Sequence, residues 1–164
     1  MMIFRRKIFR LSAAMFSALA IGRSAHAMSS SSIVSDALVS ADWIAKALSS
    51  SGYRADFTLA SLEEIDRFFD EHAPHGVARS GGLLSEDVGS RLFAIGSYIG
   101  ETLRRQLGGD WIGDDEDPQA EINISLKLAD GSIIWPIQRA MKRFRNGPED
   151  SIAAYGAAVS RSSQ

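Results

Sequence analysis

Over residues 33–50 the apolar side chains Val34, Ala37, Leu38, Ala41, Ile44, Ala45 and Leu48 recur at helical spacing, and Gly52 stands where such a helix ends. Residues 53–57 read as a brief extended segment. Ser61-Leu62-Glu63-Glu64 has the form of a capping box, in which the serine and Glu64 satisfy free amides at a helix start. The helix it predicts carries Leu62, Ile65, Phe68 and Phe69 inward and ends before Pro74, and Gly76, Gly81 and Gly82 mark a loop over 74–83. The longest helix is expected over about 85–107, where Val88, Leu92, Ile95, Ile99 and Leu103 form one stripe, the centre of the core. Gly89, Gly96 and Gly100 lie on an adjacent face with Phe93 among them. An interior glycine costs a helix about 1 kcal/mol relative to alanine. Three of them imply that another element, or a ligand, comes close to the backbone.

Past Gly108-Gly109 the period changes from helical to alternating. Ile122, Ile124, Leu126 and Leu128 alternate with Asn123, Ser125 and Lys127, as in a strand with one buried face. Asp130-Gly131 makes a tight turn, residues 132–135 return as the partner strand, and Trp111-Ile112 supplies a shorter third one. Pro136 opens a helix with Ile137, Ala140, Met141 and Phe144 inward, ended by Asn146-Gly147. Pro148-Glu149-Asp150 opens the last helix, with acids where the dipole favours them and Ile152, Tyr155 and Val159 on its apolar side. The class is α+β: helices packed on a small antiparallel sheet, a hairpin plus a short third strand, with two C-terminal helices.

The first 27 residues have a different pattern. Arg5, Arg6, Lys7 and Arg10 precede an apolar run over 11–21, and Ala25-His26-Ala27 has the small-x-small form of a signal-peptidase site. The run is shorter than the roughly 20 residues a helix needs to cross a bilayer core. It therefore reads as a removable export signal that leaves no stable membrane span after cleavage. Arg5-Arg6-Lys7-Ile8-Phe9-Arg10 has features of a twin-arginine signal, although no serine or threonine precedes Arg5, so general secretion and twin-arginine export both stand. The rival reading starts translation at Met28 and keeps the protein in the cytoplasm. The expected organisation is a signal over 1–27, a serine-rich leader over 28–32, one α+β domain over 33–160 and a tail over 161–164.

Cleavage changes the charge. Five of the 18 bases (Arg5, Arg6, Lys7, Arg10, Arg23) and none of the 20 acids lie in the signal, so a chain starting at Met28 carries 13 bases against 20 acids, net −7. Such a domain is a poor match for nucleic acid, whose phosphates need clustered positive charge, or for an anionic membrane surface. The chain has no cysteine, which excludes disulfides, thiolate metal sites and a cysteine nucleophile.

The mature region resembles an uncharacterised family of small bacterial domains. The residues that carry this resemblance are Asp56-Phe57, Ser61-Leu62-Glu63-Glu64-Ile65-Asp66, Gly96-Ser97-Tyr98-Ile99-Gly100-Glu101 and Gly108-Gly109-Asp110-Trp111. Towards the C-terminus they are Leu128-Ala129-Asp130-Gly131, Trp135-Pro136 and Lys142-Arg143-Phe144-Arg145-Asn146-Gly147. The resemblance implies a small α+β domain and no established activity.

Four clusters are candidates for chemistry. Tyr98, Glu101 and Arg105 share a helical spacing with Trp111 just beyond, giving either a ligand site at the edge of the glycine stripe or a helix ion pair beside a core tryptophan. His72 and His75 have Asp70 and Glu71 as neighbours, but Pro74 breaks the helix between them, so a polar helix end accounts for them better than a metal site. Asp114-Asp115-Glu116-Asp117 lacks the ligand spacing of a calcium loop and reads as a solvated connection. Arg139, Lys142 and Arg143 can share a helix face, either as a docking ridge for an acidic partner or as a solvated side. No serine-histidine-acid order, phosphate-binding glycine loop or paired-histidine helix occurs, and no metal or cofactor is expected. Two functions stand. One is a non-enzymatic, envelope-located module, immunity-like for example, that binds an envelope protein. The other is a small periplasmic enzyme or ligand binder using Tyr98, Glu101 and Trp111.

Overall fold

The computed structural model describes residues 32–163; the proposed signal and nearly all of the leader lie outside that range. The order is α1 (Ile33–Ser50), α2 (Leu62–His72), α3 (Val88–Leu107), β1 (Gly109–Ile112), a single turn α4 (Ala120–Asn123), β2 (Ser125–Leu128), β3 (Ile133–Ile134), α5 (Pro136–Asn146) and α6 (Ile152–Ser162). The strands form one antiparallel sheet in the order β1-β2-β3. This is the expected α+β arrangement, with α5 and α6 closing the chain.

Helix α3 is the axis of the domain, flanked by α1 and α5. The expected stripe does lie in the core, with Ile95, Ile99 and Leu103 at 0% exposure. The burial goes further than one stripe, because every residue from Leu92 to Leu103 is buried, Ser97, Glu101 and Thr102 included. Neighbours on several sides enclose the helix; Glu101 finds its partners inside the protein, whereas the Ser97 hydroxyl is buried without a hydrogen-bond partner.

The glycine face is where α5 and β1 approach. A Cβ on Gly96 would lie 2.5 Å from the Ile137 Cα, and one on Gly100 would run into the Trp111 ring and Pro136. Gly89 differs, since nothing lies within 4 Å of the corresponding position. Gly96→Ala should therefore destabilise the domain by about 1–3 kcal/mol through overpacking against backbone. Gly89→Ala should stabilise it by up to about 1 kcal/mol through helix propensity. Urea denaturation of the two variants checks this; shifts of the same sign would remove the close approach as the reason for Gly96.

Several local expectations are corrected. Ser61 makes no capping bond to α2. Thr58 instead caps a 3-10 turn at Leu59–Ser61, and the Ser61 hydroxyl donates to the Thr58 carbonyl at 2.7 Å. Residues 53–57 form no strand, and Phe57 adopts a left-handed φ of 58°. Helix α3 begins at Val88, three residues later than expected, after Asp87 at a φ of 48°. The alternation over 122–128 is divided, since Ile122 sits in α4 at 38% exposure and only Ser125–Leu128 is strand. Helix α6 runs on to Ser162, into the expected tail.

Candidate functional site

Tyr98, on the buried turn of α3, is fully enclosed. Its hydroxyl accepts the Phe57 amide at 3.2 Å and lies 2.5 Å from the Ser61 hydroxyl. The Phe57 ring packs on Tyr98 at 4.8 Å, and Gln106 donates to the Phe57 carbonyl at 3.0 Å. These contacts hold the left-handed Phe57 and with it the connection between α1 and α2. Burial pushes the Tyr98 phenol up, so it stays protonated.

One turn further along, Glu101 is 2% exposed. Arg104 donates to both of its oxygens at 2.8 and 2.9 Å, Arg105 Nε donates at 2.8 Å, and the Trp111 indole Nε1 donates at 3.3 Å. Arg105 also reaches Asp42 on α1 at 3.3 Å and stacks over the Phe57 ring at 3.7 Å. Burial by itself pushes the Glu101 carboxyl up, but the donors from Arg104, Arg105 and Trp111 outweigh it and hold the group down at about 2. Tyr98, Glu101 and Trp111 thus share one region, as the sequence suggested. The anticipated Glu101–Arg105 pair is present, with the carboxylate buried and the arginine 40% exposed. The Trp111 ring fills the space over Gly100 that a ligand would need. The polar atoms of Tyr98 and Glu101 are engaged by the protein itself.

Arg139, Lys142 and Arg143 of α5 do not form a common ridge. Arg143 is 2% exposed, with Nε donating to Asp66 at 2.7 Å and Nη2 donating to Asp70 at 2.6 Å. Asp66 also accepts the Ile152 and Ala153 amides, each at 2.9 Å, and the Ser151 hydroxyl at 2.8 Å. It therefore caps α6 from another helix, and although burial raises its carboxyl, the amides and Arg143 bring it below the usual range. Arg139 pairs with Asp150 at 2.9 Å and stacks on Tyr155. Lys142 is exposed and makes no ion pair among the described residues. Reversing the charge of Arg143 would disrupt a buried network and would not probe a surface.

The remaining clusters are held locally. His72 Nε2 lies 3.1 Å from the Tyr53 hydroxyl, which itself donates to Glu71, while Asp70 is committed to Arg143. The His75 side chain lies outside the described set, and among the described residues no group of three or more histidine and acid side chains is placed to hold a metal. In the acidic run, Asp115 accepts the Ile33 amide at 2.6 Å, at the start of α1, and Asp117 accepts the Gln119 amide at 2.8 Å in the turn that leads into α4. Asp115 and Asp117 line a hollow of about 420 Å³ with Asp36, Glu121 and Ile122.

What the sequence did not single out is a groove of about 280 Å³ between β3, α5 and α6, lined by Ile133, Trp135, Gln138, Arg139, Lys142 and Tyr155. Ile133 and Trp135 are 45% and 46% exposed. The signal was present in the expected hairpin, where alternation turns Ile133 and Trp135 to the face opposite Ile134. Lys127 stands across from Ile133 on β2.

The fold and these networks define a small α+β domain. No family model, curated protein or solved structure matches the chain. No helix among the described residues is long and apolar enough to cross a membrane.

Proposed function

We propose that this is an exported, non-enzymatic module of the bacterial cell envelope that binds another protein through the groove beside β3. The observation that carries the reading is the exposure of Ile133 and Trp135 around a groove whose lysine, Lys142, has no charged partner among the described residues. Exposed aromatic and aliphatic side chains rimmed by polar groups are characteristic of protein-binding surfaces, and tryptophan is prominent among residues that dominate binding energy. The enclosed Tyr98 and Glu101 give the ligand-pocket alternative no comparable support. Export rests on the basic start, apolar run and Ala25-His26-Ala27 of the first 27 residues.

Two measurements test the proposal. N-terminal sequencing of the protein from envelope fractions should find Met28 first; a full-length chain confined to the cytoplasm would overturn export. Cross-linking and pull-down from those fractions should recover a partner with the wild type and lose it with Trp135→Ala, both proteins being equally folded by circular dichroism. Equal recovery would remove the groove as the binding surface.

A further inference from the structure

Resting on that reading, we infer that the groove takes an acidic, extended segment of the partner, which joins the sheet as a fourth strand on the outer edge of β3. The register supplies the edge. Leu126 pairs with Ile134 and Lys127 with Ile133, while the Leu128 amide donates to the Ser132 carbonyl at 2.8 Å. In an antiparallel ladder, hydrogen-bonded and non-bonded pairs alternate. Ser132 therefore turns its carbonyl to β2, its amide donating instead to Asp130 at 2.8 Å, Ile134 is the next residue to face β2, and Ile133 turns its N–H and C=O away from the sheet. A strand laid there gains main-chain hydrogen bonds for affinity and alternate side-chain contacts for specificity. Its groove-facing side chain meets Trp135 and Tyr155, with Gln138 able to donate or accept beside them.

Charge selects the occupant. Arg139 is neutralised by Asp150, whereas Lys127 and Lys142 make no ion pair among the described residues and stand on either side of the Ile133–Trp135 face. Lys142 is local positive charge on a domain that is net negative once the signal is removed, and Lys127 adds to it although Asp110 stands opposite on β1. An acidic segment is drawn to this groove by its lysine charge. The same lysines disfavour edge-to-edge pairing between copies of the chain, because two copies would bring them together.

The test is selection of binders to the purified protein from a displayed random-peptide library, followed by fluorescence polarisation of the selected peptides. They should be rich in aspartate and glutamate alternating with apolar residues. Ile133→Pro removes the outward amide while leaving the β2 hydrogen bonds, and should weaken binding about tenfold. Lys142→Glu should weaken it by a similar factor, with the difference shrinking as salt rises. Trp135→Ala should cost about thirtyfold or more, and Lys46→Glu on α1 should change nothing. Hydrogen exchange gives a readout independent of any variant's folding, because the wild-type Ile133 amide should become protected when peptide binds. Binders that lose affinity in Trp135→Ala but leave that amide unprotected would overturn strand addition and keep the groove as a binding surface. Basic binders, binders indifferent to all three changes, or no binders would overturn the inference. The pull-down from envelope fractions decides separately whether the domain binds a protein at all.

Discussion

Replacing Asp66 by alanine is expected to destabilise the domain by about 3–5 kcal/mol, the range for removing one partner of a buried ion pair. The carboxylate serves three elements at once. On α2 it is local, on α5 it holds Arg143 at 2.7 Å, and at the start of α6 it accepts the Ile152 and Ala153 amides. Its loss leaves Arg143, at 2% exposure, with Asp70 and the Asp66 carbonyl as acceptors, and leaves the first amides of α6 without their cap. Urea denaturation measures the loss. The network also makes a prediction that a simple truncation would not. Arg143→Met added to Asp66→Ala should recover part of the stability, because the uncompensated buried charge is then gone. Additive losses would show that the two residues stabilise the fold independently.

That network also shows where reading the sequence reached its limit. Period and charge placed Arg143 with Arg139 and Lys142, since residues three and four apart share a helix side. Nothing local announces that Asp66 and Asp70, one turn apart on α2, turn towards it from more than 70 positions away. Ser61 failed for the same reason. Its hydroxyl satisfied the local pattern of a cap but is held between the Thr58 carbonyl and Tyr98, 37 residues on. At 120–124, Asp117 binds the Gln119 amide and the Asn123 side chain and winds the chain into one helical turn. Ile122 is thereby turned outward while Ile124 stays at 1% exposure, so the alternation was real for only part of its length.

What was legible rests on continuous stripes. Helix α2 and the centre of α3 bury the expected side chains, α1 buries Ala37, Ala41, Ile44, Ala45 and Leu48 but leaves Leu38 38% exposed, and Pro136 opens α5 where its missing amide does no harm. Gly96 and Gly100 marked a close approach correctly, because an interior glycine needs a reason; the approaching groups proved to be Ile137, Pro136 and Trp111. The surface beside β3 was harder to see for the opposite reason. Alternation in the hairpin places Ile133 and Trp135 opposite Ile134, but that they border a groove arises from how β3, α5 and α6 meet, and no periodicity within one segment records that.

Glu101 carries the other large effect, and acid is the way to see it. Its carboxyl, ordinarily near 4.5, is held at about 2 in the folded protein. Above the unfolded value the group is charged in both states and its stabilisation is complete. As pH falls from about 4.5 towards 2, the unfolded chain takes up a proton that the folded protein refuses, and stability drains away. Complete loss amounts to at most about 3 kcal/mol. The realised figure is smaller, because Arg104 and Arg105 keep 36% and 40% of their side chains exposed and water screens those bonds. Glu101→Gln keeps the shape and removes the charge, leaving two arginines and the Trp111 indole facing an amide. It should be less stable than the wild type at neutral pH, and the gap should close as pH falls towards 2. Some acid sensitivity should persist in the variant, because Asp66 is also held below its ordinary range and acts with the same sign. Denaturation curves of the two proteins across that window decide the matter. A variant as stable as the wild type at neutral pH, with a parallel acid profile, would mean that packing of Trp111 on Gly100, and not the carboxylate, ties β1 to α3.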